Sequence, residues 1–522
     1  MSITPSTPVT LESPYTTLPA LVAVHARERA EHPALIQDGR QVSYRVLNQT
    51  VDQVAAALQR DGLKPGDSIA ICASNSIAYA SLFIGALRAG VVVAPLAPSS
   101  TADSLLTMIA DSGAQLVFVD QAVDQAIESV KGRLHATLLS LDDSRAQQGF
   151  SQWLCDAAPQ PVELAPELPF NIIYSSGTTG EPKGIVQSHG MRWSHIQRGI
   201  AFGYGPECVT LISTPLYSNT TLVSFLPTLG LGGTLVLMAK FDAGKYLALA
   251  AEHRVTHTML VPVQYQRIMA RDDFDQYDLS SFQVKFSTSA PFHAELKADI
   301  LARWPGGLVE FYGMTEGGGS CMLPAHQYPD KLATVGKPLD GHDMRVIDED
   351  GHELPAGEIG EVVGHSPAMM TGYLNKPEKT AEAEWFDSTG KRFIRTGDVG
   401  RFDEEGFLTL MDRRKDMIIS GGFNIYPSDL EAILRQHPAL LEATVIGVQS
   451  RSWGETPVGY AVLNPGASDS ADNILQWFNQ QVGKTQRLNR LILTSELPRS
   501  AIGKVLKREL RDAFQAKFGE LD

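Results

Sequence analysis

Cysteine is scarce in this chain of 522 residues, and the four present, Cys72, Cys155, Cys208 and Cys321, are scattered. Without a C-x-x-C pair they make neither a disulfide framework nor a zinc site, so reduced thiols are expected. Long apolar runs are also missing. The most membrane-like stretch, residues 79–98, is broken by Arg88 and Gly90, and reads as a buried helix, a glycine turn and a core strand. The N-terminus lacks a basic segment followed by an apolar one, so no signal peptide is expected and a cytoplasmic placement is the simplest. Positive charge is in the minority: 44 Lys and Arg stand against 59 Asp and Glu, a formal net charge of −15. That balance disfavours nonspecific nucleic-acid binding and adhesion to anionic membranes.

What is present describes a soluble globular protein, 43% hydrophobic and 20% charged, too long for one ordinary core and therefore of two or more domains. Helical spacing of apolar residues at 18–32 and 44–61 alternates with strand patterns at 34–36, 68–73, 115–119, 209–212, 234–237 and 257–261. This alternation predicts α/β layers with parallel strands. From Thr334 the texture changes to short strands and turns, expected to form a small β-barrel or sheet. The charged cluster at 412–416 reads as a linker. Beyond it lies a compact α+β segment with helices expected at 427–436 and 471–481. The predicted organisation is a large N-terminal domain over 1–412, built of layered α/β subdomains plus the small β-barrel, and a small α+β domain over 413–522.

The stretch richest in chemistry is YSSGTTGEPKG at 174–184. Gly177, Gly180 and Gly184 tolerate positive φ and let backbone N–H groups converge on an anion. Ser175, Ser176, Thr178 and Thr179 add hydroxyls, and Lys183 adds a compact positive charge. The loop suits a polyphosphate, but it is not a P-loop, because Gly184 stands where a serine or threonine must follow the lysine. Taken alone it reads equally as a flexible surface loop. In FYGMTE, Tyr312 offers a face for a base, Gly313 a close approach, Thr315 a phosphate donor and Glu316 an oxygen ligand for magnesium. Alone, the segment is an ordinary strand end before the Gly317-Gly318-Gly319 turn. In RTGDVG, Asp398 on a predicted turn would accept from ribose hydroxyls or bond its own backbone. Arg413 would reach ribose or phosphate, and the paired Gly421 and Gly422 would let a narrow chain pass. Lys504, in SAIGK before a helix expected at 505–514, would be carried over a site by domain motion or simply begin a solvated helix.

The set YSSGTTGEPKG, FYGMTE, RTGDVG, DRRKDMIISGGFNIYPSDLE and SAIGK, in this order, closely resembles the adenylate-forming superfamily of acyl- and aryl-CoA synthetases, peptide-synthetase adenylation domains and firefly luciferases. The resemblance runs from about Leu18 to the end and is greatest to a carboxylate–CoA ligase. It implies ATP and Mg2+ as cofactors, coenzyme A as co-substrate, and two steps by way of an acyl-AMP. Thr178, Thr179 and Lys183 are implied to grip pyrophosphate, Thr315 to contact the α-phosphate and Glu316 to hold Mg2+. Ser289, Ala290, Pro291 and Tyr312 would border the adenine, Asp398 and Arg413 the ribose, and Lys504 would bridge substrate carboxylate and α-phosphate. The C-terminal domain is implied to be mobile about a hinge at Lys415, with Gly421 and Gly422 lining a pantetheine tunnel. Trp453 matches a contact to the nucleotide of CoA; Lys484 and Arg487 are further candidates that read equally as surface charges.

Three departures stand out. Ser218 occupies the place of a histidine that gates the acyl tunnel in many aryl-CoA ligases, leaving Tyr217 or another group to do so. Asp412 replaces a common glycine, and Thr288-Ser289 a usual Gly-Ala, which would narrow or polarise the acyl pocket. Gly317, Gly318 and Gly319 beside that pocket suggest room for a bulky acyl group. The expected enzyme is an ATP-dependent acid–CoA ligase for an aromatic, cyclic or medium-chain acid. Its partners would be that small carboxylic acid, ATP and CoA, with no nucleic acid, no stable membrane insertion, and a homodimer left open. The rival expectations are an acyl-AMP ligase that loads a carrier protein in trans and a non-catalytic nucleotide- or acyl-binding relative.

Overall fold

The computed structural model describes residues 13–145, 148–175, 182–413, 416–420, 423–483, 486–500 and 503–521. The chain gathers into two compact units. The first holds the described residues through Ala333, with Pro338–Asp343 and His365–Ile394; the second holds Thr334–Lys337, Met344–Gly364 and the described residues from Arg395 on.

Two sheets frame the first unit, and both show the parallel pairing that the alternating pattern predicts. In the nine-stranded sheet, Val209–Ile212, His257–Leu260, Val284–Ser287 and Gly307–Gly313 lie side by side and parallel. In the seven-stranded sheet, Ser68–Cys72 lies between Val92–Pro95 and Ala114–Val119, again parallel. The strand Pro169–Ser175 then pairs antiparallel with Lys183–Ser188, and the short strand Gly372–Tyr373 closes that edge.

The helices Tyr44–Arg60, Ile77–Arg88 and Asn219–Gly230 share one core with Ile69, Phe118 and Phe170 of the seven-stranded sheet and Leu35, Ile212 and Leu237 of the nine-stranded sheet. Ile77–Arg88 is apolar on nearly every face, which is the pattern of a helix buried all round. Ser76 starts it by accepting a hydrogen bond from Tyr79 N at 3.0 Å, and Gly90 at φ +74° turns the chain into Val92–Pro95. The apolar stretch at 79–98 therefore folds as expected, and among the described residues no helix is long and apolar enough to cross a membrane. All four cysteines are free thiols, and Cys72, Cys208 and Cys321 are buried.

The second unit contains most of a sheet built on Asp343–Ile347, Gly360–His365, Arg392–Phe402 and Leu408–Arg413. A further sheet pairs Leu440–Ser450 with Gly454–Leu463, with Pro427–Leu434 and Ala471–Gln481 packed on one side and Lys507–Phe518 on the other. Two local expectations change here. RTGDVG is not a turn: it lies inside the long strand Arg392–Phe402, where Gly397 at φ +70° and an irregularity between Val399 and Gly400 kink the ladder. Turn-forming residues thus mark a bulged strand. The charged cluster expected as a linker from 412 does not start as one, because Asp412 and Arg413 close the strand Leu408–Arg413 opposite Val399 and Asp398. Backbone pairing tolerates a charged pair at the end of a ladder. Lys415 lies outside the described residues.

Helix packing in the first unit is tightest at Gly85, where an added Cβ would sit 2.4 Å from Val54 Cβ. Gly85→Ala is expected to destabilise the protein by about 1–3 kcal/mol through overpacking, although helix propensity alone favours alanine by about 1 kcal/mol. Val54→Gly, which removes the Cβ and Cγ1 that the new methyl would meet, should therefore cost less in the Gly85→Ala background than in the wild type, as read by thermal denaturation. An unchanged midpoint for Gly85→Ala alone would show that the helices have slack.

Candidate active site

Because four neighbouring strands of the nine-stranded sheet are parallel, the residues just beyond their C-terminal ends share one edge of that sheet. That edge brings together Tyr217 and Ser218, Ser289 to Pro291, and Thr315 and Glu316. Ser218 has a structural use: its hydroxyl caps the helix Asn219–Gly230, accepting from Thr220 N at 3.3 Å. The Thr220 hydroxyl in turn lies 2.5 Å from that of Ser289, a non-glycine residue held at φ +81°. The segment expected at the adenine is thereby tied to the helix expected at the acyl pocket. Burial pushes the Tyr217 phenol up to about 12, partly offset by Ser99, so it stays a neutral donor. Ala290 is half-buried and Pro291 exposed.

Tyr312 and Gly313 are still in the strand, opposite Cys321 and Ser320. Gly317 turns the chain at φ +73°, and a Cβ there would meet Ala368 O at 2.1 Å. The missing side chain at Gly317 therefore makes way for a neighbouring backbone; the space is already filled. Gly318 is buried.

Thr315 and Glu316 are held from three sides. Gln187 Nε2 donates to Thr315 O at 2.7 Å, Met370 N donates to Glu316 O at 2.8 Å, and the Tyr373 hydroxyl donates to Glu316 Oε1 at 2.8 Å. Lys183 Nζ lies 5.1 Å from the centre of the same Tyr373 ring. The pairing explains the meeting: Ser175 stands opposite Lys183, and Tyr373 stands opposite Ile185 on the other side of that strand. Ser175 and Lys183 thus belong to rigid strand ends, while Ser176, Gly177, Thr178, Thr179 and Gly180 lie outside the described residues. Burial, then the Glu316 charge, raise the Tyr373 phenol and keep it protonated as the donor.

In the second unit, Asp398 and Arg413 are register partners on adjacent strands. Lys504 sits in a closed turn: Ser500 N donates to Lys504 O at 2.8 Å, Lys504 N donates to the Ser500 hydroxyl at 3.2 Å, and Gly503 takes φ +76°. Arg499 anchors this turn, donating to Gly503 O at 2.7 Å and to Glu442 at 2.6 Å. The helix after it, Lys507–Phe518, starts later than expected. Trp453 is 40% exposed, and Arg487 is exposed. Gly421, Gly422 and Lys484 lie outside the described residues.

Residues 22–374 match the AMP-binding enzyme family and residues 429–504 match the AMP-binding enzyme C-terminal domain. The chain belongs to the AMP-binding enzyme family. It is 33% identical over 500 residues to a feruloyl-CoA synthase of Amycolatopsis sp, covering 94% of this chain and 97% of that one. It is 30% identical over 510 residues to the fatty acid–[acyl-carrier-protein] ligase ScoC of Streptomyces coeruleorubidus, covering 95% and 96%. Among solved structures, ATP-bound MatB from Rhodopseudomonas palustris matches with a TM-score of 0.85 at 29% identity, covering 96% and 99%. These findings bear out the resemblance to adenylate-forming enzymes of the carboxylate–CoA ligase type and the α/β fold with its large N-terminal and smaller C-terminal parts.

Three side chains of this AMP-binding enzyme escape a reading of the sequence: Tyr373, Gln187 and Arg192. Tyr373 leaves a faint trace in its Gly-Tyr pair ahead of Asn375 and Pro377; the other two leave none. Arg192 is 1% exposed and holds the hairpin and a helix end together. It donates to Asn171 Oδ1 at 3.1 Å, to Asn219 Oδ1 at 2.9 Å and to Gln187 Oε1. Burial lowers its guanidinium to about 9.

His189, at the start of the same helix, packs edge-on to Phe170 and is lowered by burial to about 4. Since the unfolded chain protonates it first, stability is lost as the pH falls from about 6.5 towards about 4, by up to about 3 kcal/mol. His189→Gln is expected to flatten the acid side of the stability–pH curve. A curve unchanged by that substitution would show that His189 is not kept neutral by the fold.

Proposed function

We propose that this enzyme activates an aromatic, cyclic or medium-chain carboxylic acid with ATP and Mg2+, through an acyl-AMP, and passes the acyl group to coenzyme A. The observation that carries this reading is the meeting of Lys183 and Glu316 on Tyr373, beside the pinned Thr315. A carboxylate and ATP are both anions, and their approach needs fixed positive charge and hydrogen-bond donors. In the first step a carboxylate oxygen bonds to the α-phosphorus, the bond to the β-phosphate oxygen breaks, and pyrophosphate leaves with that electron pair.

Lys183 and the hydroxyls and amides of Ser175 to Gly180 take the pyrophosphate, and Thr315 donates to the α-phosphate. Ser289, Ala290, Pro291, Tyr312 and Gly313 border the adenine, Asp398 and Arg413 take the ribose, and Lys504 neutralises the joining anions. Tyr217, Ser218, Gly317 and Gly318 flank the acyl group. Glu316 suits Mg2+, because Tyr373 engages one oxygen and, among the described residues, the other has no protein partner. A single hard carboxylate oxygen completed by phosphate and water is the coordination this ion takes, and when bound it offsets phosphate charge.

In the second step the thiolate sulfur of CoA bonds to the acyl carbon and the bond to AMP breaks. Gly421, Gly422, Trp453, Lys484 and Arg487 are the proposed CoA contacts, Lys415 the hinge between domains 1–412 and 413–522, and the cytoplasm the proposed location. One observation favours a second reading, transfer to a carrier protein: the relative ScoC is named a fatty acid–[acyl-carrier-protein] ligase. CoA and a phosphopantetheinyl carrier offered in competition separate the two.

Pyrophosphate release over aromatic, alicyclic and fatty acids tests the first step, and thioester formation with CoA the second. Absence of any thioester across the panel would overturn the CoA reading. Lys504→Ala is expected to lose adenylation by about 100- to 1000-fold, as for removal of a transition-state donor, while thioester formation from preformed acyl-AMP survives. Equal loss of both steps would remove the role assigned to Lys504. Tyr373→Phe deletes a hydrogen bond to a charged group, worth about 1.5–3 kcal/mol. It should raise the Mg2+ concentration needed for half-maximal rate by about tenfold or more and leave the KM for CoA alone. An unchanged Mg2+ response would show that Tyr373 does not hold Glu316 for the ion.

A further inference from the structure

The helix His189–Ala201 carries a concentration of basic groups that the two steps above do not use. Arg192 Nη1 donates to His195 Nδ1 at 3.3 Å, and about 1.7 turns beyond Arg192, Arg198 Nη2 donates to His342 Nε2 at 3.4 Å. Among the described residues no carboxylate pairs with Arg192 or Arg198, in a protein where 59 acidic residues outnumber 44 basic ones. Burial is what lowers both guanidinium groups. His195 is driven well below its ordinary value by burial and then by Arg192, Arg198 and His342 around it. His342 falls to about 4, by burial and then by Arg198 and His365. With Nε2 accepting from Arg198, Nδ1 of His342 is the N–H donor, and it is buried with no hydrogen-bond partner. Positive charge withdrawn from water without a counter-ion is unfavourable, and so is a buried donor with no acceptor. A bound anion would relieve both.

The cluster has a definite relation to Thr315. The segment from Thr315 to Ser320 runs beside this helix. Gln187, just ahead of the helix, bonds Thr315; a Cβ on Gly317 would lie 3.2 Å from Met191 Cε; and Ser320 O accepts from Leu339 N, whose own carbonyl accepts from His342 N. Arg198 and His342 therefore lie further along this helix and this segment than the contacts that hold Thr315 and Gly317. Arg192 and Arg198 are separated by roughly 9 Å along the helix axis.

We propose that the acid activated by this enzyme carries a second anionic group, a distal carboxylate, and that Arg198, with His342 beside it, receives that group. The inference rests on the adenylation reading above. A forked guanidinium matches a carboxylate in two parallel hydrogen bonds, and the His342 N–H supplies a third donor. Met191, which abuts Gly317, and Arg198 are separated by about 10 Å along the helix axis, a spacing that favours diacids with a medium chain or an aromatic ring between the carboxylates over short ones.

The test compares pyrophosphate release for matched pairs: hexanoic with adipic acid, octanoic with suberic acid, cinnamic with para-carboxycinnamic acid. The wild-type enzyme is expected to favour at least one diacid over its monoacid partner by about tenfold or more in kcat/KM. Arg198→Met should lower that diacid-to-monoacid ratio by about 10- to 100-fold, chiefly through the diacid KM. If Arg198→Met does not fold, Arg198→Lys, which keeps the charge and loses the fork, is read by the same ratio and should give a smaller fall. A wild-type preference for monoacids, or a ratio that neither substitution moves, overturns this inference and leaves the adenylation reading standing. Pyrophosphate from no acid at all would overturn both.

Discussion

A guanidinium removed from water must find an acceptor wherever its donors point, and Arg192 finds them in neutral side chains. Asn171 comes from one strand of the central hairpin, Gln187 from the other, and Asn219 from the start of a helix that leaves the nine-stranded sheet. A hydrogen bond to a charged group contributes about 1.5–3 kcal/mol, against about 1 kcal/mol for an ordinary one, so Arg192 ties these three elements firmly together. Gln187 also holds the Thr315 carbonyl. The position of Thr315 relative to the hairpin thus depends on a residue that touches neither ATP nor acid in the proposed reaction.

The hairpin does a second job through its edge. The strand Lys183–Ser188 is flanked by Pro169–Ser175 on one side and by Gly372–Tyr373 on the other, which places Lys183 and Tyr373 within reach of each other. Tyr373 then reaches Glu316. A cation, a phenol and a carboxylate from three distant parts of the chain meet because a sheet edge is filled. Groups held on strand ends lose little freedom when a ligand arrives, which is the condition for electrostatic stabilisation without reorganisation.

Much of the architecture was legible in the sequence because it rests on local patterns. The alternation of helical and strand periods foretold parallel sheets, and Ile77–Arg88 with Val92–Pro95 appeared where an apolar run was cut by Arg88 and Gly90. The misread places share a cause. RTGDVG looked like a turn because glycine serves turns and bulges alike, and only the partner strand distinguishes them. Asp412 and Arg413 looked like a linker because charge is not a strand signal, yet their backbones complete a ladder. Gly317 looked like spare room, when Ala368 of a later segment already fills it.

The amino-acid order by itself determined the kind of chemistry: glycines, hydroxyls and Lys183 in one stretch, and Tyr312, Thr315 and Glu316 in another, carry their meaning in residue type and local spacing. Tertiary structure alone decided which of these groups are held and by what. Gln187, Arg192, Tyr373 and the basic pair of Arg198 and His342 act through partners far away in the chain, and no local pattern records a contact that exists only after the sheets have closed. Short-range geometry is written in the backbone preferences of each residue; long-range contact is set by which buried surfaces find one another.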